Sequence, residues 1–378
     1  MAGIYLHIPF CESRCIYCNF YSTTRFDDWK DRYVAALCSE IRERKDYLKG
    51  ELIHTIYLGG GTPSQLSIAQ LRTIFECIEE NYNLSQCKET TLEANPDDLN
   101  LEYLSELKHL PVNRISMGVQ TFDNQMLRFL RRRHNAAEAI RAIECCREVG
   151  FNNFSIDLIY GLPEETPERW QNDIKQTLAL KPPHISAYCL SYESGTALDK
   201  MLKEHQIKEV DEQNSLSYYN LLMKELKQAG YEHYEISNFC LPDRYSRHNS
   251  SYWRGISYLG CGASAHSYNG NEREWNTSDL KQYITGIENG KRFFESEILN
   301  STTKYNELIM TGLRTSIGVD LNKLEETSGK KAHDYCLKMA APHLKSNKLE
   351  YTNGHLRLTP DGIFVSDGII SDLFIVSL

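Results

Sequence analysis

Residues 4–18 read IYLHIPFCESRCIYC, an apolar run typical of a β-strand that leads directly into three cysteines. Cys11, Cys15 and Cys18 follow a C-x3-C-x2-C spacing on what should be a short irregular loop. Three such thiolates can bind three irons of one [4Fe–4S] cube and leave the fourth iron without a protein ligand. A zinc site normally has four ligands, and only His7 is at hand to complete a Cys3His set. The spacing therefore favours an open [4Fe–4S] cluster over zinc.

A glycine-rich turn offers a place for a ligand of the open iron. Residues 59–63 read GGGTP and follow a second predicted strand at residues 53–58. The turn has neither the Gly-Lys-Ser/Thr ending of a P-loop nor the spaced glycines of a dinucleotide-binding fingerprint. Glycine lets the backbone approach a small ligand closely, although a turn of this kind can also be purely structural. Beside an open cluster we favour the ligand-binding interpretation.

The first half of the chain alternates strand and helix patterns. Six short apolar runs predict strands at residues 4–8, 53–58, 90–93, 114–118, 154–158 and 184–188. Amphipathic patterns between them predict helices near residues 29–41, 68–82, 101–109, 136–149 and 167–180. Strand–helix units in series imply an α/β fold with a parallel sheet, either doubly wound or an open barrel.

The alternation stops in the second half. A helix is predicted near residues 209–229, and residues 231–276 are predicted to be loop-rich. Helices are predicted again near residues 305–314, 322–327 and 334–343. Residues 349–358 alternate across an Asn-Gly turn, which predicts a hairpin. We therefore expect three regions: a domain at 1–230, a connecting region at 231–300 and a small winged-helix-like domain at 301–378.

The composition limits the classes of partner and compartment. The 378 residues are 41% hydrophobic and 25% charged, and a net charge of −9 argues against nucleic acid as the main partner. The winged-helix-like region also lacks a clear basic face. The longest uncharged stretch, about residues 52–71, is broken by the glycine turn, and the first residues lack a basic secretory leader. The twelve cysteines are then expected to be thiols or metal ligands in a reducing cytoplasm.

These motifs resemble the radical S-adenosylmethionine (SAM) superfamily, and within it the branch of coproporphyrinogen III dehydrogenases and heme chaperones. The match extends over nearly the full length and is carried by YLHIPFC at 5–11, GVQTF at 118–122 and DLIYGLP at 157–163. The resemblance implies a partial (β/α)6 TIM-like barrel. It also implies that the amino and carboxylate groups of SAM chelate the open iron, and that reduction of the cluster releases a 5′-deoxyadenosyl radical.

The resemblance also implies which residues contact SAM. They are Tyr5, Tyr17, Gly60, Gly61, Thr62, Glu93, Gln120, Arg132 and Asp157. Glu93 and Asp157 suit ribose hydroxyls or the sulfonium charge, and Arg132 suits a carboxylate. The alternatives are a surface salt bridge for Arg132 and a helix N-cap for Asp157. The cysteine loop, the glycine turn, Glu93, Gln120 and Asp157 all fall at or just after strand ends, the rim where barrels bind ligands.

Three features separate the two activities of the branch. The dehydrogenase resemblance calls for a further cysteine two places after the third, and that position is Phe20. It also calls for a long N-terminal extension, whereas ten residues precede Cys11 here. Residues 248–253 read HNSSYW and match the H-N-x-x-Y-W string of the chaperones. All three favour a protein that binds heme and transfers it to acceptor hemoproteins.

The alternatives to heme transfer are an oxygen-independent coproporphyrinogen III dehydrogenase, another radical SAM enzyme of tetrapyrrole metabolism and, more weakly, an iron–sulfur scaffold. Phe20 argues against coproporphyrinogen III turnover. In the chaperone interpretation the cofactors are the cluster, SAM and heme, and a reductant such as a flavodoxin or ferredoxin supplies single electrons. Because heme is apolar and associates with membranes, peripheral membrane contact is compatible with this function.

His248 is the expected heme ligand because a neutral imidazole binds iron. Tyr252 and Trp253 follow four and five places later, so helical geometry would bring them near His248 to cover the porphyrin. The alternative is a histidine in a polar loop that two aromatic residues anchor. His266 is a second candidate, and we interpret it as structural.

Overall fold

The apolar runs of the first half form a row of six parallel strands in chain order. In the computed structural model, which describes residues 1–25 and 27–376, they are β1 (Ala2–Ile8), β2 (Ile53–Gly60), β3 (Glu89–Ala94), β4 (Arg114–Gln120), β5 (Phe154–Tyr160) and β6 (His184–Cys189). Side chains alternate across a strand, so Ile4, Leu6 and Ile8 pack in the main core. Tyr5 and His7 point to the opposite, polar face, which lines the barrel interior.

Helices connect successive strands and cover their apolar face. They are α1 (Lys30–Glu43), α2 (Ile68–Asn81), α3 (Leu101–Leu107), α4 (Asn124–Phe129), α5 (Ala136–Val149), α6 (Pro167–Leu180), α7 (Ala197–Lys203) and α8 (Glu212–Gln228). The ends of α5 follow from its sequence. The Asn135 side chain accepts hydrogen bonds from the N–H groups of Ala137 and Glu138, and Gly150 ends the helix with a φ of 90°.

Residues 231–300 differ from expectation. The stretch predicted to be loop-rich, 231–276, contains five strands and a helix, so that prediction was wrong. The elements of 231–300 are β7 (Glu232–Glu235), β8 (Asn238–Cys240), α9 (Arg247–Trp253), β9 (Tyr258–Cys261), β10 (His266–Tyr268), β11 (Glu272–Asn276), α10 (Leu280–Glu288) and β12 (Phe294–Ile298). The pair β7–β8 extends the sheet beyond β6, and β9 runs parallel to β1 at the other edge, followed by β10, β11 and β12. These strands have three to five residues each, too few to show a period in the sequence.

A buried ionic network attaches β9–β12 to α1. Glu40 is fully buried and accepts hydrogen bonds from the Gly262 N–H, Asn276 Nδ2 and the Tyr283 hydroxyl at 2.7–2.8 Å. Arg44 lies 3.3 Å from Glu40 and donates to the Gly260 carbonyl oxygen at 2.8 Å. The network satisfies charges that would be costly to bury alone.

The last fifth of the described chain has its own hydrophobic core. Its elements are α11 (Ser301–Leu313), β13 (Val319–Asp320), α12 (Leu321–Ser328), α13 (Lys330–Lys345), β14 (Leu349–Thr352), β15 (His355–Leu358), α14 (Pro360–Ile363) and α15 (Ser366–Leu373). The order helix–strand–helix–helix–strand–strand is that of a winged helix. Asn353 and Gly354 both have positive φ angles, 53° and 81°, as the predicted hairpin turn requires. Among the described residues, no helix combines the length and apolarity needed to cross a membrane.

Candidate functional site

The carboxyl ends of the parallel strands surround a cavity of about 440 Å³. The cavity brings together residues that are far apart in the sequence. Its walls include all three clustered cysteines and eight of the nine expected SAM contacts: Cys11, Cys15, Cys18, Tyr17, Gly60, Gly61, Thr62, Glu93, Gln120, Arg132 and Asp157. Parallel strands place their carboxyl ends at one edge of the sheet, which explains the convergence.

Tyr5 is the exception and is not among the residues that line the cavity. Its hydroxyl is 3.1 Å from His7 Nδ1, and its ring stacks on Tyr57 with centroids 6.2 Å apart. Tyr5 lies three residues before the end of β1, one layer deeper in the barrel. The expectation that Tyr5 contacts SAM stays a prediction.

The three cysteines are free, half-buried thiols on the loop after β1. Cys11 Sγ accepts a hydrogen bond from Thr62 Oγ1 at 3.2 Å, and Cys15 Sγ accepts one from Arg132 Nη1 at 3.3 Å. Burial raises the pKa of the Cys11 and Cys18 thiols, so these two sulfurs stay protonated until metal binds. Three thiols on the wall of one cavity fit an iron–sulfur cluster that binds one cysteine per iron.

The zinc alternative would need His7 as its fourth ligand. His7 Nε2 lies 2.9 Å from the Tyr21 carbonyl oxygen, and its Nδ1 faces Tyr5, so both ring nitrogens already have partners. Across residues 1–25 and 27–376, no three Cys, His, Asp or Glu side chains are grouped to hold a single metal ion.

The glycine turn requires glycine for packing and also lines the cavity. Gly60 has a φ of 104°, and a Cβ atom there would lie 2.4 Å from the His7 ring. A Cβ on Gly61 would lie 2.6 Å from the Ile8 carbonyl oxygen. The turn therefore presses against β1 while its open side forms part of the cavity wall.

Two acidic side chains face the cavity in a low-polarity setting. Glu93 Oε1 accepts a hydrogen bond from the Tyr57 hydroxyl at 2.7 Å, and Oε2 accepts one from the Gly60 N–H at 3.1 Å. Burial raises the pKa of Glu93 to about 7 and that of Asp157 to about 6. Asp157 lies in the middle of β5, and Thr166 caps the following long helix, so the N-cap alternative for Asp157 is excluded.

Arg132 joins the cysteine loop to the strand ends. Its Nη2 donates to Asn95 Oδ1 and to the Gly118 carbonyl oxygen, both at 2.6 Å, in addition to the contact with Cys15. No carboxylate pairs with it among the described ion pairs, so the surface salt bridge alternative fails for Arg132. The neighbouring Arg133 makes such pairs instead, with Glu12, Asp97 and Asp98.

Gln120 reaches the cavity through an irregular strand end. The register of β4 against β5 shifts between Gly118 and Gln120, and Gln120 has a φ of 71°. A bulge turns a side chain out of the regular alternation, and a positive φ at a non-glycine residue is strained. Strain of this kind is common where a side chain is aimed at a ligand.

His248 lies at the opposite end of the barrel from the cysteines. Helix α9 closes that end, because the Glu89 carboxylate accepts hydrogen bonds from the N–H groups of Arg247 and His248, both at 2.9 Å. His248 is 1% exposed. Its Nδ1 is 2.8 Å from Thr55 Oγ1, and its Nε2 is 2.8 Å from the Tyr252 hydroxyl.

The aromatic residues near His248 have different environments. Tyr252 lies edge-on to the His248 ring, as four-residue spacing on a helix allows, whereas the Trp253 ring lies under the Arg314 guanidinium at 4.7 Å. His248 is on a helix and not in a loop, whereas its contact with Tyr252 agrees with the anchoring that the alternative expected. His266 is exposed on β10 and stacks on Trp275 with centroids 5.7 Å apart.

Comparison with known proteins gives the family. The model of the radical SAM superfamily matches residues 5–177, and that of the HemN C-terminal domain matches residues 299–365. The chain is 37% identical to the heme chaperone HemW of Lactococcus lactis subsp. lactis (strain IL1403), over 85% of this chain and 83% of that one. The chain belongs to the HemW family of radical SAM proteins.

Two further relatives support the same placement. The heme chaperone HemW of Bacillus subtilis (strain 168) is 34% identical, over 87% of this chain and 88% of that one. The solved structure of coproporphyrinogen III oxidase (HemN) from Escherichia coli superposes with a TM-score of 0.87 at 25% identity, over 100% of this chain and 90% of that one. The predicted partial barrel with a small C-terminal domain is confirmed for this HemW-family chain.

Sequence reasoning missed two residues that shape the site in this HemW-family chain. Asn95 follows β3 directly and binds Arg132, and the end-of-strand rule that singled out Glu93 would also have found it. Tyr57 lies two residues before the glycine turn and binds Glu93. The two-residue period of β2 places it on the same face as Gly59, which is the signal that could have found it.

The cavity also has an apolar and aromatic side. Its lining includes Ile159 near the end of β5, Tyr188 near the end of β6 and Leu190 directly after β6. Phe20, at the position where the dehydrogenases of the superfamily are expected to carry a further cysteine, also lines the cavity and is 65% exposed. The cavity of this HemW-family chain therefore combines a thiol-rich wall with an apolar mouth.

Proposed function

We propose that the protein is a heme chaperone that binds heme, binds SAM on a [4Fe–4S] cluster, and transfers heme to acceptor hemoproteins. The observation that carries the proposal is the near-full-length similarity, at 37% and 34% identity, to proteins named heme chaperone HemW. The segment HNSSYW forms helix α9 and gives the chain a histidine for heme iron.

We assign the cluster to Cys11, Cys15 and Cys18, and SAM to the rest of the cavity. When bound, a SAM-ligated cluster supplies a single electron that can cleave the sulfonium. Arg132 is placed to receive a carboxylate, because its guanidinium is fixed by Asn95 and Gly118. The oxygens of Glu93 and Asp157 are placed for hydroxyls or a positive charge.

We assign heme binding to His248, with Tyr252 and Trp253 next to it. Because Nε2 already faces the Tyr252 hydroxyl at 2.8 Å, iron can reach this nitrogen only after the phenol moves aside. Burial holds the pKa of His248 down to about 3, so the ring is neutral and suited to a metal throughout the physiological range. Heme binding therefore requires that the Tyr252 side chain, or helix α9 as a whole, move so that His248 Nε2 becomes accessible.

The setting proposed for this activity is the cytoplasm, where all twelve cysteines can remain free thiols. A one-electron reductant such as a flavodoxin or ferredoxin would reduce the cluster. Acceptor hemoproteins, including those at a membrane surface, would receive the heme.

The test is an anaerobic heme titration of the reconstituted protein, monitored by Soret absorbance. Wild type should saturate near one heme per chain, and His248→Ala should lose that binding. His184→Ala is the matched control, since His184 is equally buried and its two nitrogens also face hydroxyls, of Ser155 and Tyr234. Binding unchanged in His248→Ala would move the ligand elsewhere, with His266 next, and absence of specific binding would refute the chaperone.

A second candidate function is oxygen-independent coproporphyrinogen III dehydrogenation. The superposition on HemN, with a TM-score of 0.87 over the whole chain, favours it. Phe20 argues against it, and we expect no turnover of coproporphyrinogen III by the reduced, SAM-supplied protein. Formation of protoporphyrinogen in that assay would favour dehydrogenation over heme transfer as the function of the protein.

A further inference from the structure

Tyr57 touches both candidate sites from a single position on β2. Its hydroxyl donates to Glu93 Oε1 at 2.7 Å, on the side of the SAM cavity. Its ring stacks on the imidazole of His248, with centroids 5.0 Å apart and planes at 28°. Tyr57 thus contacts Glu93 of the cavity wall and His248 at the closed end of the barrel.

Both contacts lie inside the protein, away from bulk water. Tyr57 is 7% exposed, and its ring also stacks on Tyr5 with centroids 6.2 Å apart. The other oxygen of Glu93 is held by the Gly60 N–H. A Cβ on Gly59 would lie 2.7 Å from the Tyr57 ring, so there is little free space around it. A close-packed interior of this kind transmits a displacement instead of absorbing it.

Each proposed ligand would meet a direct neighbour of Tyr57. A SAM molecule that engages the Glu93 carboxylate would share the oxygens that already accept hydrogen bonds from Tyr57 and Gly60. Iron at His248 would bind an imidazole that lies between Thr55, Tyr252 and the Tyr57 ring. The same side chain therefore contacts a residue involved in each event.

We infer that Tyr57 is a positioning residue that couples SAM binding at Glu93 to heme binding at His248. The inference rests on the proposed function, because it needs both ligands. Coupling of this kind is reciprocal: the factor by which heme changes the affinity for SAM equals the factor by which SAM changes the affinity for heme.

The experiment uses the cluster-loaded protein. Equilibrium dialysis gives the dissociation constant of SAM with and without heme, and Soret titration gives the dissociation constant of heme with and without SAM. Each pair of constants yields one ratio. In wild type we expect the two ratios to be equal and about fivefold or more. In Tyr57→Phe, which keeps the ring and loses the bond to Glu93, both ratios should fall to about one. Tyr82→Phe is the control: this buried phenol donates to the Arg44 carbonyl oxygen, away from both sites, and the coupling should persist.

Two results would overturn the inference while leaving the chaperone intact. One is a wild-type protein that binds both heme and SAM while both ratios of dissociation constants equal one. The other is a coupling of equal size in wild type and Tyr57→Phe. A protein that binds no heme at all would instead refute the proposed function, and the inference with it, so the two failures are distinguishable.

Discussion

Arg132 Nη1 lies 3.3 Å from Cys15 Sγ, although 117 residues separate them in the chain. The same guanidinium holds Asn95 and the Gly118 carbonyl oxygen through its other nitrogen. One side chain thus ties the cysteine loop to the ends of β3 and β4. A planar, always charged group with several donors can do this, whereas an ammonium group cannot make the same set of contacts.

Arg132→Lys should therefore weaken SAM binding more than cluster assembly. Loss of charged hydrogen bonds predicts a dissociation constant about 10- to 100-fold higher, measured by equilibrium dialysis on the reconstituted protein. The exposed neighbour Arg131 supplies the control, since Arg131→Lys should leave SAM affinity unchanged. Equal effects of the two substitutions would show that Arg132 does not hold the ligand.

Cys15→Ser should abolish the [4Fe–4S] cluster, because each iron of the proposed site has one protein thiolate. Loss of the iron–sulfur absorbance and of bound iron would report it. Cys87→Ser, at a half-buried thiol outside the cavity, should retain the cluster. Heme binding by the folded Cys15→Ser protein should persist, since His248 lies at the other end of the barrel. Joint loss of both ligands would mean that the two sites cannot be separated.

SAM affinity should rise with pH between pH 6 and pH 8. Burial raises the pKa of Glu93 to about 7, and the ionised carboxylate is the form that suits SAM. The ionised fraction grows from roughly one tenth to nine tenths over this range, so the affinity should increase by roughly tenfold. Asp157, with a pKa raised to about 6, adds a smaller change in the same direction. Glu93→Gln should remove most of the dependence, and a profile that survives this substitution would assign it to another group.

Tyr252→Phe should strengthen heme binding. The substitution removes the hydroxyl that faces His248 Nε2 and keeps the ring. An ordinary hydrogen bond contributes about 0.5–1.5 kcal/mol, which corresponds to an affinity about 2- to 12-fold higher in a Soret titration. Tyr258→Phe is the control, because it removes a hydroxyl from the ring that packs against Tyr252 and leaves the Tyr252 hydroxyl in place. Heme affinity should stay unchanged in this variant. Weaker binding by Tyr252→Phe would indicate that the phenol itself contacts heme.

Glu40→Ala should destabilise the fold, because it leaves Arg44 and three other donors without their buried acceptor. Breaking a buried pair in this way costs about 3–5 kcal/mol, visible in urea or thermal unfolding. Glu288→Ala removes the exposed pair between Glu288 on α10 and Arg32 on α1, and it should barely change the unfolding midpoint. Similar midpoints for the two variants would show that the network does not anchor β9–β12.

The sequence by itself determined the features whose signal is local. The three cysteines lie within eight residues, so their spacing alone indicated a cluster. The long amphipathic segments and apolar strands of the first half have enough residues to show their period, and α5 and α6 begin and end at the predicted residues. Since parallel strands end at one edge, Glu93 and Gln120 are predicted from the sequence to lie near the cysteines, whereas Asp157 lines the cavity from the middle of β5.

Only the tertiary structure decided the features that depend on distant contacts. The short strands β7–β11 have no period of their own. They are defined by pairing: β9 pairs with β1, β8 pairs with β6, and the others pair with these added strands. The burial of His248 beneath Tyr252 follows from Glu89, 159 residues earlier, which holds the start of α9. The stacking of Tyr5 on Tyr57, 52 residues later, is likewise a distant contact. Pairing and depth are set by the packing of the whole chain, which no local pattern encodes.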